Sequence, residues 1–168
     1  MRQEMGSRKD VILKEDLLPS DKFIKIYPEH RVTNLRLFLR LIMKRDMELI
    51  RKILFAIEEQ YVDVDIYNLH IDGYDFKAIA YHCSILNDAG LISDYDDRYG
   101  GNGLSDFGLG SLTWEGHEFL DKVRSDTIWN KTKEAISKKG LPMILDEVKE
   151  VASTIISSMT EGALNALK

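Results

Sequence analysis

The run from Tyr81 to Ile92, YHCSILNDAGLI, contains the end of an amphipathic helix and the turn that terminates it. Apolar side chains recur at helical spacing before and within this run: Phe76, Ile79, Cys83 and Leu86. Asp75 is a favourable N-cap, so the pattern predicts a helix from about Asp75 to about Asp88. Gly90 adopts left-handed backbone angles without strain and predicts the helix end, after which the next two residues begin a strand.

A second helix and a short strand are predicted upstream of this run. Asp46 is the expected N-cap of the helix, which is expected to end near Gln60. Its inward stripe consists of Met47, Ile50, Ile53, Leu54 and Ile57. In YVDVDIY, residues 61–67, apolar and polar side chains alternate, which predicts a strand through Val62, Val64 and Ile66.

Downstream, a strand through LISDY is predicted to lead into the glycine-rich loop of a hairpin, DDRYGGNGLSDFGLG, residues 96–110. Ser111–Trp114 is predicted to be the returning strand. Thr113 is expected to cap a helix that opens at Glu115. Together the patterns predict the order helix, strand, helix, strand, hairpin, strand, helix.

Two further segments flank this central module, which we place at residues 43–125. Residues 1–42 are predicted to be an N-terminal extension that is polar over about its first 30 residues, with a short strand, FIKIY, and a helix, TNLRLFLRLI. Residues 126–168 are predicted to be helical, with Asp126 as a cap and Gly140 as a stop. Trp114 and Trp129 are expected to be core or interface anchors.

The C-terminal segment carries a long apolar stripe from Leu141 to Leu167. A small module cannot cover a stripe of this length, and exposed apolar stripes usually pack against a partner helix. We therefore predict a homodimer formed through the C-terminal helix. The alternative is packing of the stripe against the N-terminal extension of the same chain.

YHCSILNDAGLI followed by LTWEGHEFL resembles the recognition helix and closing wing strand of the winged helix-turn-helix superfamily. MKRDMELIRKILFAIEE, IDGYDFKAIAYHCSILNDAGLI and LTWEGHEFLDKVRSDTIWNKTKE resemble DUF2513, a domain family of bacteria and their prophages without an established activity. The resemblance begins near Met43. It implies a mainly α (α+β) winged helix-turn-helix with a small hairpin wing and a C-terminal helical extension, in a phage-related context. The leading hypothesis for function is a non-enzymatic regulatory protein.

The resemblance also implies a candidate DNA-binding surface, because the second helix of a winged helix enters the major groove. Its outward face is expected to present Lys77, Tyr81, His82 and Ser84, and the wing to present Arg98. From Lys44 to Arg124, however, eight cations face sixteen anions. DNA affinity depends on phosphate neutralisation. Two functions therefore stay open: a regulator that binds double-stranded DNA, or an acidic protein-interaction adaptor that does not.

Composition excludes several other classes of protein. The chain has 168 residues, a formal net charge of -5 and one cysteine, so an intrachain disulfide is impossible. No signal-like apolar segment and no uncharged window of about 20 residues is present, which predicts a cytoplasmic protein without a membrane span. Cys83 and the four histidines lack metal-ligand spacing, and no nucleophile or phosphate-loop motif is spaced for catalysis. We expect no metal, no cofactor and no enzymatic activity.

Overall fold

The computed structural model describes residues 44–101 and 103–167. Within these ranges it is a mostly helical α+β structure, which confirms the coarse fold class. Its elements are α1 (Met47–Gln60), β1 (Ile66–Tyr67), α2 (Phe76–Asp88), β2 (Tyr95–Gly100), β3 (Gly103–Leu109), α3 (Trp114–Val123), α4 (Asp126–Lys139) and α5 (Leu145–Ala166). The N-terminal extension, residues 1–42, with its predicted strand and helix, lies outside the described residues.

Helix α1 forms as its cap and stripe predict. The Asp46 carboxylate accepts hydrogen bonds from the backbone N–H groups of Glu48, at 2.8 Å, and Leu49, at 3.3 Å. These bonds satisfy donors that a helix start otherwise leaves without partners. The predicted stripe is buried throughout: Met47, Ile50, Ile53, Leu54 and Ile57.

Helix α2 begins and ends where the sequence predicts. Asp75 caps it by accepting from the backbone N–H groups of Lys77 and Ala78 at 2.9 and 3.0 Å. Gly90 has a φ of 68°, in the left-handed region that favours glycine. The N–H of Leu91 then donates to the Leu86 carbonyl at 2.9 Å, a hydrogen bond typical of a Schellman turn.

The three strands form one antiparallel sheet in the order β1-β3-β2. A hairpin is present as predicted, formed by β2 and β3 with an irregularity in register between Arg98 and Tyr99. Its strands, however, lie almost entirely within residues 96–110, which were predicted to be its loop, and the first strand begins at Tyr95 and not at Leu91. Phe107 of β3 is fully buried, and its ring lies 5.2 Å from that of Phe76, measured between centroids. The hairpin is therefore anchored against the start of α2.

Two further strand predictions need correction. The upstream strand is only Ile66–Tyr67, and Val62 and Val64 are 83% and 67% exposed. Alternating apolar and polar residues form a strand only where a neighbouring strand pairs with them. Strand β3 pairs only with Ile66 and Tyr67 of this segment. The predicted returning strand Ser111–Trp114 is also wrong, since β3 ends earlier and only Leu112 forms an isolated bridge, to Ile92.

Helix α3 begins at Trp114, one residue before the predicted start. Thr113 is its N-cap as predicted, because Thr113 Oγ1 accepts from the N–H of Gly116 at 3.0 Å. The same hydroxyl donates to the Gly90 carbonyl at 2.6 Å. The start of α3 is thereby tied to the turn that ends α2. Trp114 is 75% exposed and is not part of the core, and its role at an interface stays a prediction.

A buried arginine connects α1 to the junction between α3 and α4. Arg51 is 8% exposed; its Nε donates to the Val123 carbonyl and its Nη2 to the Arg124 carbonyl, both at 2.7 Å. Nη2 also contacts an Asp126 carboxylate oxygen at 2.8 Å. The prediction that Asp126 caps α4 is wrong, because Ser125 occupies the N-cap position and makes no side-chain cap bond.

Helices α4 and α5 complete the core. Trp129 is 1% exposed, which confirms the prediction that it is a core anchor. Gly140 ends α4 with a φ of 65°, as predicted. The other buried side chains of these two helices are Thr132, Ile136, Val148, Val151 and Ala152. None of the helices described is long and apolar enough to cross a membrane.

Candidate functional site

Three of the predicted contact residues lie along one side of α2. Lys77 is exposed, and Tyr81 and Ser84 are half-buried. Their spacing of four and then three residues places them on a common helical face. Asp88 is exposed and continues that face at the C-terminal end of the helix. The outward surface therefore carries one ammonium group, two hydroxyls and one carboxylate.

His82 does not lie on that surface, contrary to the prediction. It is 3% exposed and lies on the inner side of α2. One ring nitrogen, Nε2, accepts the backbone N–H of Asp46 at 2.8 Å, and the other, Nδ1, donates to the Ala78 carbonyl at 2.7 Å. These two contacts occupy both ring nitrogens, so His82 has a structural role between α1 and α2.

The contacts of His82 require a neutral imidazole with its proton on Nδ1, since Nε2 receives a hydrogen bond. Burial lowers the pKa of His82, and the nearby cation Arg45 lowers it further. The hydrogen bond to Ala78 and the Asp46 carboxylate act in the opposite direction, and the net shift is downward.

Arg98, the predicted cation of the wing, lies on β2 between two carboxylates. Its Nε is 3.8 Å from an Asp96 oxygen and 3.7 Å from an Asp106 oxygen. The guanidinium side chain is 64% exposed, yet the two carboxylates outweigh its charge. Asn102 lies outside the described residues.

The charge of this part of the molecule is strongly negative. Between Asp72 and Gly110 the sequence contains seven aspartates and two basic residues, Lys77 and Arg98. Four of the aspartates belong to the hairpin and the segment that leads into it: Asp94, Asp96, Asp97 and Asp106. A phosphate backbone approaching α2 and the hairpin would therefore meet repulsion.

A cleft of about 490 Å³ lies at the start of α1. Glu48 accepts hydrogen bonds there from Trp129 Nε1 at 2.8 Å and Lys133 Nζ at 3.0 Å. Burial raises the pKa of Glu48, but these two bonds lower it more, so the net shift is downward. The sequence carries no local signal for this cleft, because Trp129 follows Glu48 by 81 residues. Its lining is Lys44, Arg45, Asp46, Met47, Glu48, Trp129, Lys133 and Met143.

Among the described residues, the thiol is buried and the acidic groups do not form a metal-ligand cluster. Cys83 is fully buried, on the inward stripe as predicted, and burial raises its pKa, which keeps the thiol protonated and unreactive. In the part of the chain that the structure describes, no three histidine, cysteine or acidic side chains are grouped to hold a metal ion.

Helix α2 and the hairpin thus define a candidate macromolecule-binding surface without a recognised catalytic group. A family model described as "Hypothetical protein (DUF2513)" matches residues 44–142, and the chain belongs to that family. It is also 42% identical, over 120 residues, to an "Uncharacterized protein" of Haemophilus influenzae. That match covers 70% of this chain and 98% of the relative. No solved structure matches the chain.

Proposed function

We propose that the chain is a non-enzymatic regulatory module of winged-helix architecture whose α2–hairpin surface binds a cationic surface of another protein. The order of elements supports the architecture: α1, β1 and α2 are followed by the hairpin and α3, as expected from the resemblance. The phage-related context comes from that resemblance alone.

The negative charge of the α2–hairpin surface is the observation that favours a cationic protein partner over DNA. Seven aspartates against two cations between Asp72 and Gly110 disfavour phosphate and favour a basic protein surface. The two predicted DNA contacts His82 and Arg98 do not offset this negative charge. His82 is buried in the core, and Arg98 lies between Asp96 and Asp106.

Binding of double-stranded DNA is the second candidate, and one observation favours it. Lys77, Tyr81 and Ser84 share the outward side of α2, where an ammonium group contacts phosphate and hydroxyls contact phosphate or base edges. For this candidate, Lys77 and the N-terminal extension, with nine cations and six anions over residues 1–43, would supply the positive charge.

A mobility-shift assay on the full chain separates the two candidates. Mixed-sequence duplex DNA is titrated at a series of salt concentrations that starts near 50 mM, because phosphate contacts give steep salt dependence. We expect no retardation at any salt concentration. Salt-sensitive retardation that Lys77→Glu abolishes would contradict the protein-partner proposal and support DNA binding.

The proposed preference for a cationic partner is tested with poly-L-lysine as the probe. We expect Asp96→Asn/Asp106→Asn to weaken binding several-fold, because it removes two charges and releases Arg98. The matched control is Glu134→Gln/Glu150→Gln, which removes two exposed charges from α4 and α5. Equal weakening by both variants would mean that the probe senses net charge only, contrary to a specific surface.

A further inference from the structure

Helix α5 extends past the other elements that the structure describes. Val148, Val151 and Ala152 are buried, whereas every residue from Ser157 to Leu167 is exposed. At 1.5 Å per residue, the exposed end projects by roughly 16 Å. This end of α5 therefore has little tertiary packing among the residues that the structure describes.

The exposed end nevertheless continues the apolar face of the buried part. Val148 and Ala152 are followed at helical spacing by Ile155, Met159, Ala163 and Leu167. Met159 is 43% exposed and Leu167 is 84% exposed. The face that packs into the core near Val148 is thus presented to solvent farther along the same helix.

This sequence is poorly suited to an isolated helix in water. Between Val151 and Leu167 the one charged residue is Glu161, and the segment contains Gly162 and several β-branched or hydroxyl side chains. Four hydroxyls bond back to the carbonyl four residues earlier, namely those of Ser153, Thr154, Ser158 and Thr160. A helix end of about three turns with such a composition is marginal by itself, so packing is needed to maintain it.

We propose that a second copy of this chain packs against the apolar face of α5, defined by Ile155, Met159, Ala163 and Leu167. Two copies of a chain with net charge -5 repel one another, so they associate best through an uncharged surface. Glu161 points away from this face, at about 200° from Met159 around the helix at 100° per residue. A strongly charged partner would find no complementary group on it.

Small residues beside the apolar face also favour packing against a second copy of the chain. Ser158, Gly162 and Ala166 recur every four residues along one edge of the face. Among the residues that the structure describes, no atom outside the helix's own backbone lies within 4 Å of a Cβ added at Gly162, so that edge has no described neighbour. Small residues at this spacing let two helices approach closely, which increases van der Waals contact between identical apolar faces.

The test is the molar mass of the full chain in solution, measured by light scattering over a range of concentrations. We expect the mass of a dimer for the natural sequence and the mass of a monomer for Met159→Glu/Ala163→Glu. Both substitutions are at exposed positions and introduce a good helix former, so the fold is retained. Circular dichroism of both proteins verifies this.

The matched control is Ser157→Glu/Asn165→Glu, which adds the same charge to the opposite side of α5. This variant is expected to remain a dimer. The proposal is overturned if the natural chain is monomeric at its highest soluble concentration, or if both variants remain dimeric. A monomeric natural chain that Met159→Glu/Ala163→Glu destabilises would show that another segment of the same chain covers the face.

Cross-linking provides a second measurement. Cys83 is the sole cysteine and is fully buried, so Met159→Cys introduces one accessible thiol. Mild oxidation is expected to give a covalent dimer for Met159→Cys and none for Ser157→Cys. Equal yields from both positions, or none from either, would contradict pairing through the apolar face.

Discussion

The imidazole of His82 joins two helices through both of its nitrogens. Nδ1 donates to Ala78 within α2, and Nε2 accepts the N–H of Asp46 at the start of α1. If Nε2 were protonated, its N–H would face the N–H of Asp46, so the hydrogen bond between them would be lost and a charge would lie in the core. The folded state therefore binds a proton more weakly at His82 than the unfolded state does.

We predict a specific pH dependence of stability from this lowered pKa. The unfolded imidazole titrates near 6.5, so the contribution of His82 is complete above about pH 6.5 and is lost as the pH falls toward the lower folded pKa. Urea unfolding at several pH values between about 7 and about 5 measures the loss. His82→Gln retains an acceptor for the Asp46 N–H and is expected to reduce the slope of the free energy of unfolding against pH.

The control for this prediction is His70→Gln, at an exposed histidine. It is expected to leave the pH dependence of the natural protein unchanged. A slope that is the same in His82→Gln and in the natural chain would mean that other groups, such as carboxylates, account for the pH dependence.

Arg51 is the second buried polar residue with a clear structural role. We predict that Arg51→Lys lowers the free energy of unfolding by about 2–3 kcal/mol, because one ammonium group cannot replace both carbonyl contacts. Asp126→Asn serves as the comparison and is expected to cost less than about 1 kcal/mol, since the Asp126 side chain is 84% exposed. Denaturant titration measures both, and a larger effect of Asp126→Asn would contradict this assignment of roles.

At the scale of the element, α3 depends on close contact between its first turn and the exit of α2. A Cβ added at Gly116 would overlap the Leu91 carbonyl oxygen. We predict that Gly116→Ala lowers the free energy of unfolding by about 1–3 kcal/mol. Gly101→Ala is the control, because its Cβ meets open space, and it is expected to change stability little. Thermal denaturation of the two variants distinguishes them, and equal stabilities would show that α3 shifts without cost.

Helices were predictable because their signals are local. Asp46, Asp75 and Gly90 act on neighbouring residues, and the apolar stripes repeat within one helix. Strand β1 was predicted too long because its extent depends on β3, some forty residues later in the chain. The alternation of residues 61–67 does not reveal which strand pairs with them or how far the pairing extends.

The candidate site was predicted less well, for a related reason. A core-facing helix buries positions i, i+3, i+4 and i+7, and Ile79, His82, Cys83 and Leu86 have that spacing. Arg51 has the same relation to Met47, Ile50 and Leu54. A polar residue within such a set is a candidate for burial with an internal partner. The partner itself is distant in sequence, 36 residues for His82, and only the fold identifies it.

At the scale of the whole molecule, the acidic surface of α2 and the hairpin and the largely uncharged end of α5 belong to different elements. The aspartates concentrate around α2 and the hairpin, whereas the end of α5 carries one carboxylate. If two copies associate through α5, unfolding is coupled to dissociation, and stability depends on protein concentration. We predict that the melting temperature of the natural chain rises with concentration. The melting temperature of Met159→Glu/Ala163→Glu is expected to be independent of concentration, and the same independence in the natural chain would contradict self-association.

The two tryptophans of the chain occupy opposite environments, since Trp129 is 1% exposed and Trp114 is 75% exposed. Their fluorescence therefore reports different events. Emission from Trp129 shifts to longer wavelength when the packing of α1 against α4 is lost, whereas an aqueous quencher such as iodide reaches Trp114 in the native protein. A binding partner that covers the start of α3 would shield Trp114 from iodide and leave the signal of Trp129 unchanged.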